Sequence, residues 1–328
     1  MKKMIGFISL LSIVLAFAFY KEKEESSAKD KENLPVVGIL QLTSHPALDI
    51  IYEGIIDALE KEGFTDGETV TIDFQNAQGD QSNLNSMSTR FVSRNAALMI
   101  GIATPSAQAL ANSSKDIPII LGAVTDPEGA GLVKDNENPG QNITGVSDLT
   151  PIKEQFELIK EILPEAKKIG IIYSSSEDNS IVQAKQAIEI AESMGYETIT
   201  STVSSTNDVS QVSSSLVSQV DAVWVPTDNT IASSMSTLVA AADNSQIPIF
   251  PAVDTMVNEG GLATVGLNQY ELGRLTGQMA ATVLKGDNKP GTMPIQYLKE
   301  GEVIINLEKA EKLGITIPKS VSDRVKSQ

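Results

Sequence analysis

Residues 36–64 read VVGILQLTSHPALDIIYEGIIDALEKEGF, and this stretch contains the repeating unit of the predicted fold. The apolar run at 36–40 is typical of a strand buried in a parallel sheet. A helix is predicted at 47–63, because apolar residues recur there at steps of three and four, and Gly63 stands where a helix C-cap is expected. A strand, a polar turn and a helix therefore follow one another.

The same alternation of strand and helix continues through the chain. Further strands are predicted at 70–74, 97–101, 117–121, 168–173, 197–202, 222–226 and 248–251, with helical segments between them. Such alternation indicates parallel sheets that helices cover on both faces. The chain exceeds the usual domain size of roughly 100–150 residues, and two such runs occur in it. The sequence therefore predicts an α/β fold of two Rossmann-like lobes.

The composition excludes several classes of function. The 328 residues include no cysteine and one histidine, which rules out disulfides, thiolate nucleophiles, iron–sulfur clusters and multi-histidine metal sites. The 25 basic against 42 acidic residues give a net charge of −17, which argues against a nucleic-acid partner. Phosphate-binding, dinucleotide-binding and serine-hydrolase motifs are missing. We therefore expect no catalytic residues, no metal and no cofactor, and a protein that is not an enzyme.

The N-terminal residues predict the cellular location. Lys2 and Lys3 precede an uncharged run, so that residues 1–20 have the form of a secretory signal or membrane anchor. A flexible linker is predicted at 21–33, where nearly every residue is charged or small and polar. The body is therefore expected outside the cytoplasm, either held at the cell surface by this segment or secreted.

The residues that follow the predicted strands form the candidate ligand site. In open parallel sheets, ligands bind beyond the carboxyl ends of the strands. The loops at these positions are rich in hydroxyl, amide and carboxylate groups. They supply these candidates: Ser44, His45, Thr104, Ser106, Thr125, Asp126, Tyr173, Ser175, Asp228, Asn229 and Asp254. Each loop taken alone is better explained by ordinary helix capping, so only convergence of the two lobes would make them one site.

The chemistry of these loops suits a zwitterion. A helix N-terminus with a hydroxyl group, as at Thr104 followed by Pro105, is a natural site for a carboxylate. An ammonium group needs an acidic partner, for which Asp228 is the first candidate and Asp126 and Asp254 are the alternatives. One cleft could therefore bind both ends of an amino acid.

Several stretches, taken together, resemble a known family. They are GILQLTSHPALDIIYEGIIDALEKEGF, GIATPSAQAL, VTDPEGAGLV, NITGVSDLTP, YSSSEDNS, DAVWVPTDNTIAS and INLEKAEKLGITIP. In these residues the chain resembles the extracytoplasmic substrate-binding proteins of bacterial ABC transporters. More narrowly, it resembles the family that includes the tryptophan- and phenylalanine-binding receptors of Gram-positive bacteria. The resemblance covers residues 36–318, essentially the whole body.

The resemblance implies a type I periplasmic-binding-protein fold, in which three crossovers join the two lobes. We place these crossovers near Val146, Phe250 and Leu284. Each lobe is then built from two separate segments of the chain. The N-terminal and C-terminal lobes comprise, respectively, 34–146 plus 251–284 and 147–250 plus 285–328.

The resemblance also implies a ligand and partners. The ligand would be an amino acid, tryptophan or another aromatic one, captured between the lobes by hinge closure; a sugar, a nucleoside or a branched-chain amino acid is the alternative. An aromatic ring needs an apolar wall, for which Tyr173 at a strand end is preferred over Tyr52, Trp224, Pro226 and Phe250. The partners would be the permease and ATPase subunits of an ABC importer. Many such proteins carry a lipid on a cysteine, which this chain lacks, so the N-terminal segment is the expected membrane contact.

Two other classes of protein remain as rivals. A sugar-responsive transcription regulator uses the same two-lobed fold but needs a DNA-binding helix-turn-helix ahead of the body. Here an apolar segment and a charged linker occupy that place. An enzyme that uses the cleft is disfavoured by the missing motifs.

Overall fold

The chain forms two α/β lobes in a computed structural model that describes residues 34–325. The strands of this part, numbered along the chain, are β1 (Val36–Gln41), β2 (Thr71–Asn76), β3 (Leu98–Ile102), β4 (Ile119–Gly122), β5 (Ile143–Ser147), β6 (Lys168–Ser174), β7 (Glu197–Val203), β8 (Ala222–Val225), β9 (Ile249–Pro251), β10 (Ala263–Gly266), β11 (Gln296–Tyr297) and β12 (Glu302–Ile305). The alternation of strands and helices confirms the predicted α/β class.

The helices lie between these strands. They are α1 (Pro46–Lys61), α2 (Gln81–Ser93), α3 (Thr104–Ser113), α4 (Ile152–Ile162), α5 (Asp178–Ser193), α6 (Val209–Val217), α7 (Asn229–Ala232), α8 (Met235–Ser245), α9 (Asp254–Asn258), α10 (Gln269–Leu284), α11 (Leu307–Lys312) and α12 (Lys319–Ser322), with short 3-10 turns at Thr206–Asp208 and Pro290–Thr292. Helix α1 begins beside a proline, buries Leu48, Ile51, Ile55 and Leu59 on one face, and is followed by Gly63 at φ 94°. The helix predicted at 47–63 is therefore confirmed to within two residues.

Two separate parallel sheets form the centres of the lobes. The first sheet has the order β11-β5-β4-β3-β1-β2, and the second has the order β7-β6-β8-β9, with every pair parallel. Strands β10 and β12 form an additional antiparallel pair. The expectation of a parallel sheet in each lobe is thus confirmed, and the antiparallel pair was not anticipated.

The chain passes between the lobes three times, but two of the passages differ from the predicted positions. The first follows β5, beside the predicted Val146. The passage expected near Phe250 lies instead between Gly266 and Gln269, because β10 packs on the second apolar core while Leu267 packs on the first. The passage expected near Leu284 lies after Tyr297, since β11 joins the first sheet.

The β10–β12 pair is the physical reason for both corrections. It joins residues almost forty positions apart and buries Val265 and Val303 against the second core. The lobe segments predicted at 251–284 and 285–328 stay predictions, and these contacts favour other ends. We propose that the first lobe comprises 34–147 and 267–298, and the second 152–266 and 302–325.

The predicted N-terminal segment and linker, at 1–20 and 21–33, lie outside the described residues. Within residues 34–325, no helix combines the length and the apolar character that crossing a membrane requires.

Candidate functional site

A pocket of about 380 Å³ lies between the two lobes, beyond the carboxyl ends of the strands. The first lobe contributes the loop after β1 and the beginnings of α2 and α3, and the second contributes the loops after β6, β7 and β8. The lining residues are Leu42, Thr43, Gln78, Gly79, Gln81, Leu84, Pro105, Ser176, Glu177, Ser204, Ser205, Thr206, Asn229, Thr230 and Ser233. The volume falls within the range of about 300–1,000 Å³ that is usual for small-molecule sites.

The predicted loops meet at this cleft, although often through a neighbour of the residue that was predicted. Asn229 lines the pocket directly, whereas Pro105 does so between Thr104 and Ser106. Thr104 and Asp126 instead line a second, narrow cavity of about 10 Å³, together with Asp178 and Asn179 from the opposite lobe. Residues of the two lobes therefore lie together at both cavities, and the ligand-binding roles of the candidates stay predictions.

A hydrogen bond between His45 and Asn229 joins the lobes at one side of the pocket. His45 Nε2 lies 3.1 Å from Asn229 Oδ1, and both side chains are buried. The amide of Asn229 is oriented by Glu177, whose carboxylate accepts a bond from Asn229 Nδ2. Since Oδ1 can only accept, His45 Nε2 must carry the hydrogen. Burial lowers the pKa of His45 from its ordinary value, which favours the neutral ring.

Glu177 is a central residue of the site that the sequence did not reveal. Its carboxylate is buried, with 4% of the residue exposed, and accepts hydrogen bonds from four groups. Oε2 accepts from the backbone and side-chain nitrogens of Asn229, and Oε1 accepts from the backbone nitrogen and Oγ1 of Thr230. The only signal available was a glutamate in the polar loop before α5, where Ser175 was selected instead.

A second interlobe contact is formed by four polar side chains. Thr125 of the first lobe donates to Asp148 Oδ1 at 2.9 Å and lies 3.3 Å from Thr227 Oγ1 of the second lobe. Gln183 Nε2 donates to the hydroxyl groups of both threonines. Thr125 was predicted, but Gln183 was missed because it lies in the second turn of α5, away from any loop.

Asp228 is bound within its own lobe. Its two carboxylate oxygens accept from the backbone nitrogens of Ser174, at 2.5 Å, and of Ile231, at 2.8 Å, so that it caps α7. Burial, with the nearby Glu177 charge as the next cause, raises the pKa of Asp228 to about 7. The ammonium-binding role stays a prediction, and the geometry favours the capping alternative.

The other acidic candidates also make local bonds. Asp126 Oδ1 accepts from the backbone nitrogen of Gly129 at 2.8 Å. Asp254 Oδ1 accepts from the backbone nitrogen of Thr255 at 2.8 Å, and burial raises the pKa of Asp254 to about 6.

The remaining candidates lie at the edges of the cleft or in the core. Ser44 is exposed and bonds to Asp49 on α1, and Ser175 is exposed and bonds to Val203. Tyr173 is half-buried and packs against the second core. Trp224 is fully buried in that core, where its Nε1 donates to Gln155. It therefore does not form a wall of the pocket.

Four buried polar atoms near the cleft have no hydrogen-bond partner among the described residues. They are Gln41 Oε1 at the end of β1, His45 Nδ1, Ser106 Oγ in the first turn of α3, and Asn179 Oδ1 in the first turn of α5. Buried polar groups in proteins are nearly always paired. These atoms are therefore candidate partners for ligand groups, although none belongs to a residue that lines the pocket of about 380 Å³.

The backbone is strained at the same edge of the first sheet. Ala103 and Ala123, which directly follow β3 and β4, adopt φ values of 73° and 57°. Such conformations are unfavourable for residues other than glycine and tend to occur at functional sites.

The buried carboxyl groups predict how stability depends on pH. The pKa values of Asp228, Asp148 and Asp254 are raised to about 7, 6 and 6 by burial, against about 3.9 in an unfolded chain. Between these limits the folded protein holds protons that the unfolded chain has lost, so stability rises as the pH falls. His45 opposes this trend, because its pKa is lowered on folding. We expect a higher melting temperature near pH 5.5 than near pH 7.5 by calorimetry; a lower one would contradict the assignment.

Comparisons with known proteins agree with this architecture. The family described as "ABC transporter substrate binding protein" matches residues 36–328. A tyrosine-binding protein of Clostridioides difficile (strain R20291) is 44% identical over 285 residues, covering 87% of this chain and 81% of that protein. An ABC domain from Streptococcus pneumoniae in complex with L-Trp is 47% identical, with a TM-score of 0.87, over 89% of this chain and 99% of the other.

A third comparison concerns the arrangement of the lobes. A ligand-free, open substrate-binding protein with adhesive properties from Clostridium difficile is 41% identical over 89% of this chain and 98% of the other, with a TM-score of 0.68. Its sequence identity and coverage are similar to those of the L-Trp complex, but its TM-score is much lower. The lobes of the present structure are therefore arranged more as in the ligand-bound relative than as in the open one.

The chain belongs to the family of ABC transporter substrate-binding proteins. This confirms the resemblance inferred from the sequence, and the type I periplasmic-binding-protein fold is confirmed with it. Membership implies a small-molecule ligand and transporter subunits as partners, and a role in binding rather than catalysis.

Proposed function

We propose that this protein captures an aromatic amino acid, tyrosine or tryptophan, outside the cytoplasm and delivers it to an ABC importer. The observation that carries the proposal is the closed cleft, whose arrangement is closer to the L-Trp complex than to the ligand-free relative. The tyrosine-binding relative supports the same class of ligand. Sugars, nucleosides and branched-chain amino acids are the alternatives that the experiment must separate.

Buried groups near the pocket are suited to both ends of an amino acid. The N-terminus of α3, with Thr104 and the unpartnered Ser106 hydroxyl, offers donors to a carboxylate. The unpartnered oxygens of Gln41 and Asn179 and the ring nitrogen of His45 can only accept, which suits an ammonium group. Small adjustments of the lobes on binding would bring these atoms to the ligand.

Closure of the lobes is the proposed mechanism of capture. Polar groups of both lobes line the pocket, so neither lobe alone completes it. A ligand bound to one lobe is enclosed when the other closes, and the closed form is the one that the permease and ATPase subunits would recognise.

The N-terminal segment is proposed as the attachment to the membrane. The uncharged run within residues 1–20 follows two lysines, and the chain has no cysteine that could carry a lipid. Cleavage at this segment would instead release the body. Sequencing the N-terminus of the mature protein isolated from cells would show whether this cleavage occurs.

Thermal stabilisation of the purified protein tests the ligand. A ligand present at 100 times its dissociation constant adds about 2.7 kcal/mol to the free energy of unfolding. We expect a clear rise in melting temperature with L-tyrosine or L-tryptophan, and none with D-tyrosine, which reverses the positions of the ammonium and carboxylate groups. Stabilisation by a sugar, a nucleoside or leucine, without any by the aromatic amino acids, would overturn the proposed ligand.

A further inference from the structure

The second interlobe contact, which we call the interlobe latch, comprises Thr125, Asp148, Gln183 and Thr227. Thr125 belongs to the first lobe, whereas Gln183 and Thr227 belong to the second. All three are buried, with at most 8% of each residue exposed. The bonds that Thr125 makes with Thr227 and Gln183 cross between the lobes and can exist only while the lobes are closed.

The donors and acceptors of the latch can be assigned without ambiguity. The Asp148 carboxylate accepts, so the Thr125 hydroxyl must donate to it. Thr227 must then donate to Thr125, because the single hydrogen of Thr125 is already used. The two amide hydrogens of Gln183 go to the two threonine oxygens, and Gln183 Oε1 accepts from the backbone nitrogen of Thr227. Every polar hydrogen of these side chains is therefore paired within the protein.

This complete pairing distinguishes the latch from the unpaired polar groups near the cleft. Gln41, His45, Ser106 and Asn179 each have a buried polar atom without a partner, which a ligand could satisfy. The latch offers no free hydrogen, and none of its members lines the pocket. Its bonds stabilise closure directly and do not require contact with the ligand.

The position of Asp148 connects the latch to the hinge. Asp148 directly follows Ser147, the last residue of β5, and lies on the segment that passes to α4 in the second lobe. Ser147 Oγ also donates to the backbone oxygen of Thr125. Thr125 is therefore held against the crossover on one side, and faces the opposite lobe on the other.

We propose that Gln183 is a positioning residue that sets ligand affinity by stabilising the closed lobes through Thr125 and Thr227. The affinity readout rests on the proposed function, whereas the effect on closure does not. Breaking the latch should leave the open form and its encounter with ligand unchanged and should accelerate reopening. The cost should therefore appear in the dissociation rate rather than in the association rate.

The test compares Gln183→Leu with Gln186→Leu, which makes the same substitution at an exposed position of the same helix. For Gln183→Leu we expect the dissociation constant for L-tyrosine or L-tryptophan to rise on the order of tenfold, since the bond from Gln183 to Thr125 across the lobes is lost and Thr227 loses the side chain that orients it toward Thr125. Stopped-flow kinetics should show the change in the dissociation rate. Thr125→Val should raise the dissociation constant and the dissociation rate as Gln183→Leu does. Thr125→Ser keeps the hydroxyl group and should bind the ligand as the wild type does.

Distance measurements test closure independently of any ligand. Because the chain has no cysteine, spin labels can be placed uniquely at Ser86→Cys in the first lobe and Ser214→Cys in the second, both exposed. Without ligand, the fraction of molecules at the short interlobe distance should be lower in Gln183→Leu than in wild type or Gln186→Leu.

The proposal is overturned if Gln183→Leu has wild-type dissociation rates and wild-type interlobe distances. It is also overturned if only its melting temperature falls, because a merely structural role predicts that result. If the wild-type protein binds neither amino acid, the proposed function fails, and the distances in the ligand-free protein still decide whether the latch controls closure.

Discussion

Glu177→Ala is expected to lower the free energy of unfolding by about 3 kcal/mol or more and to weaken ligand binding at least about tenfold. The buried carboxylate accepts four hydrogen bonds from Asn229 and Thr230, and its removal leaves four donors without a partner. Each unpaired buried donor costs about 1–3 kcal/mol before water re-enters. Binding suffers as well, because Asn229 loses the group that turns its oxygen toward His45.

Urea unfolding and titration calorimetry measure the two effects. Glu189→Ala is the matched control, because Glu189 is exposed on α5, the helix that follows Glu177, and its loss should change stability by no more than about 0.5 kcal/mol. Glu177→Gln should fall between the two, since an amide keeps one accepting oxygen but turns a donor toward the donors of Asn229 and Thr230. Equal stability of Glu177→Ala and Glu189→Ala would contradict this role for Glu177.

Gly273→Ala is expected to destabilise the protein by about 1–3 kcal/mol, and Gly273→Val by more. Gly273 lies where α10 crosses α1, and a Cβ atom there would overlap the backbone carbonyl of Ile51. Gly54 on α1 makes the reciprocal approach to the carbonyl of Tyr270, so the two helices meet through backbone contact. A carbonyl cannot rotate away as a side chain can, so the helices must separate.

The helical preference of alanine makes this prediction a demanding one. Alanine is favoured over glycine in a helix interior by about 1 kcal/mol. The measured loss in the free energy of unfolding is therefore the cost of the steric clash minus this gain. Gly122→Ala is the control, because its nearest neighbour would be at an ordinary 3.4 Å. Denaturant unfolding of both variants decides the matter. A Gly273→Ala variant as stable as Gly122→Ala would show that the crossing can widen without cost.

Local patterns in the sequence were sufficient for most of the elements. The strand at 36–40 and the helix at 47–63 agree closely with β1 and α1, because the periods of apolar residues report directly which face is buried. The β10–β12 pair was different. Its partners are distant in sequence and each strand is only four residues long, so no local period indicates that they belong together.

The candidate site divides in the same way. His45, Thr125 and Asn229 follow strands, and the sequence identified them as cleft residues from that position; the structure places all three at contacts between the lobes. Glu177, Gln183 and Asp148 are their partners, and none was identified. A glutamate before a helix, or a glutamine within one, does not indicate a functional site until the neighbour that it binds is known.

The sequence alone determined the family, the α/β class, the exclusion of disulfides and multi-histidine metal sites, and the edge of each sheet where polar side chains collect. These follow from residue types and from spacings within one element, which the chain carries locally. Only the tertiary structure decided where the second and third crossovers lie, that Asp228 caps its own lobe, and that Gln183 and Thr125 join the two lobes. The physical reason is that a buried hydrogen bond depends on which donor lies next to which acceptor after folding. Gln183 and Thr125 are more than fifty positions apart, so the local sequence around one does not indicate that it binds the other.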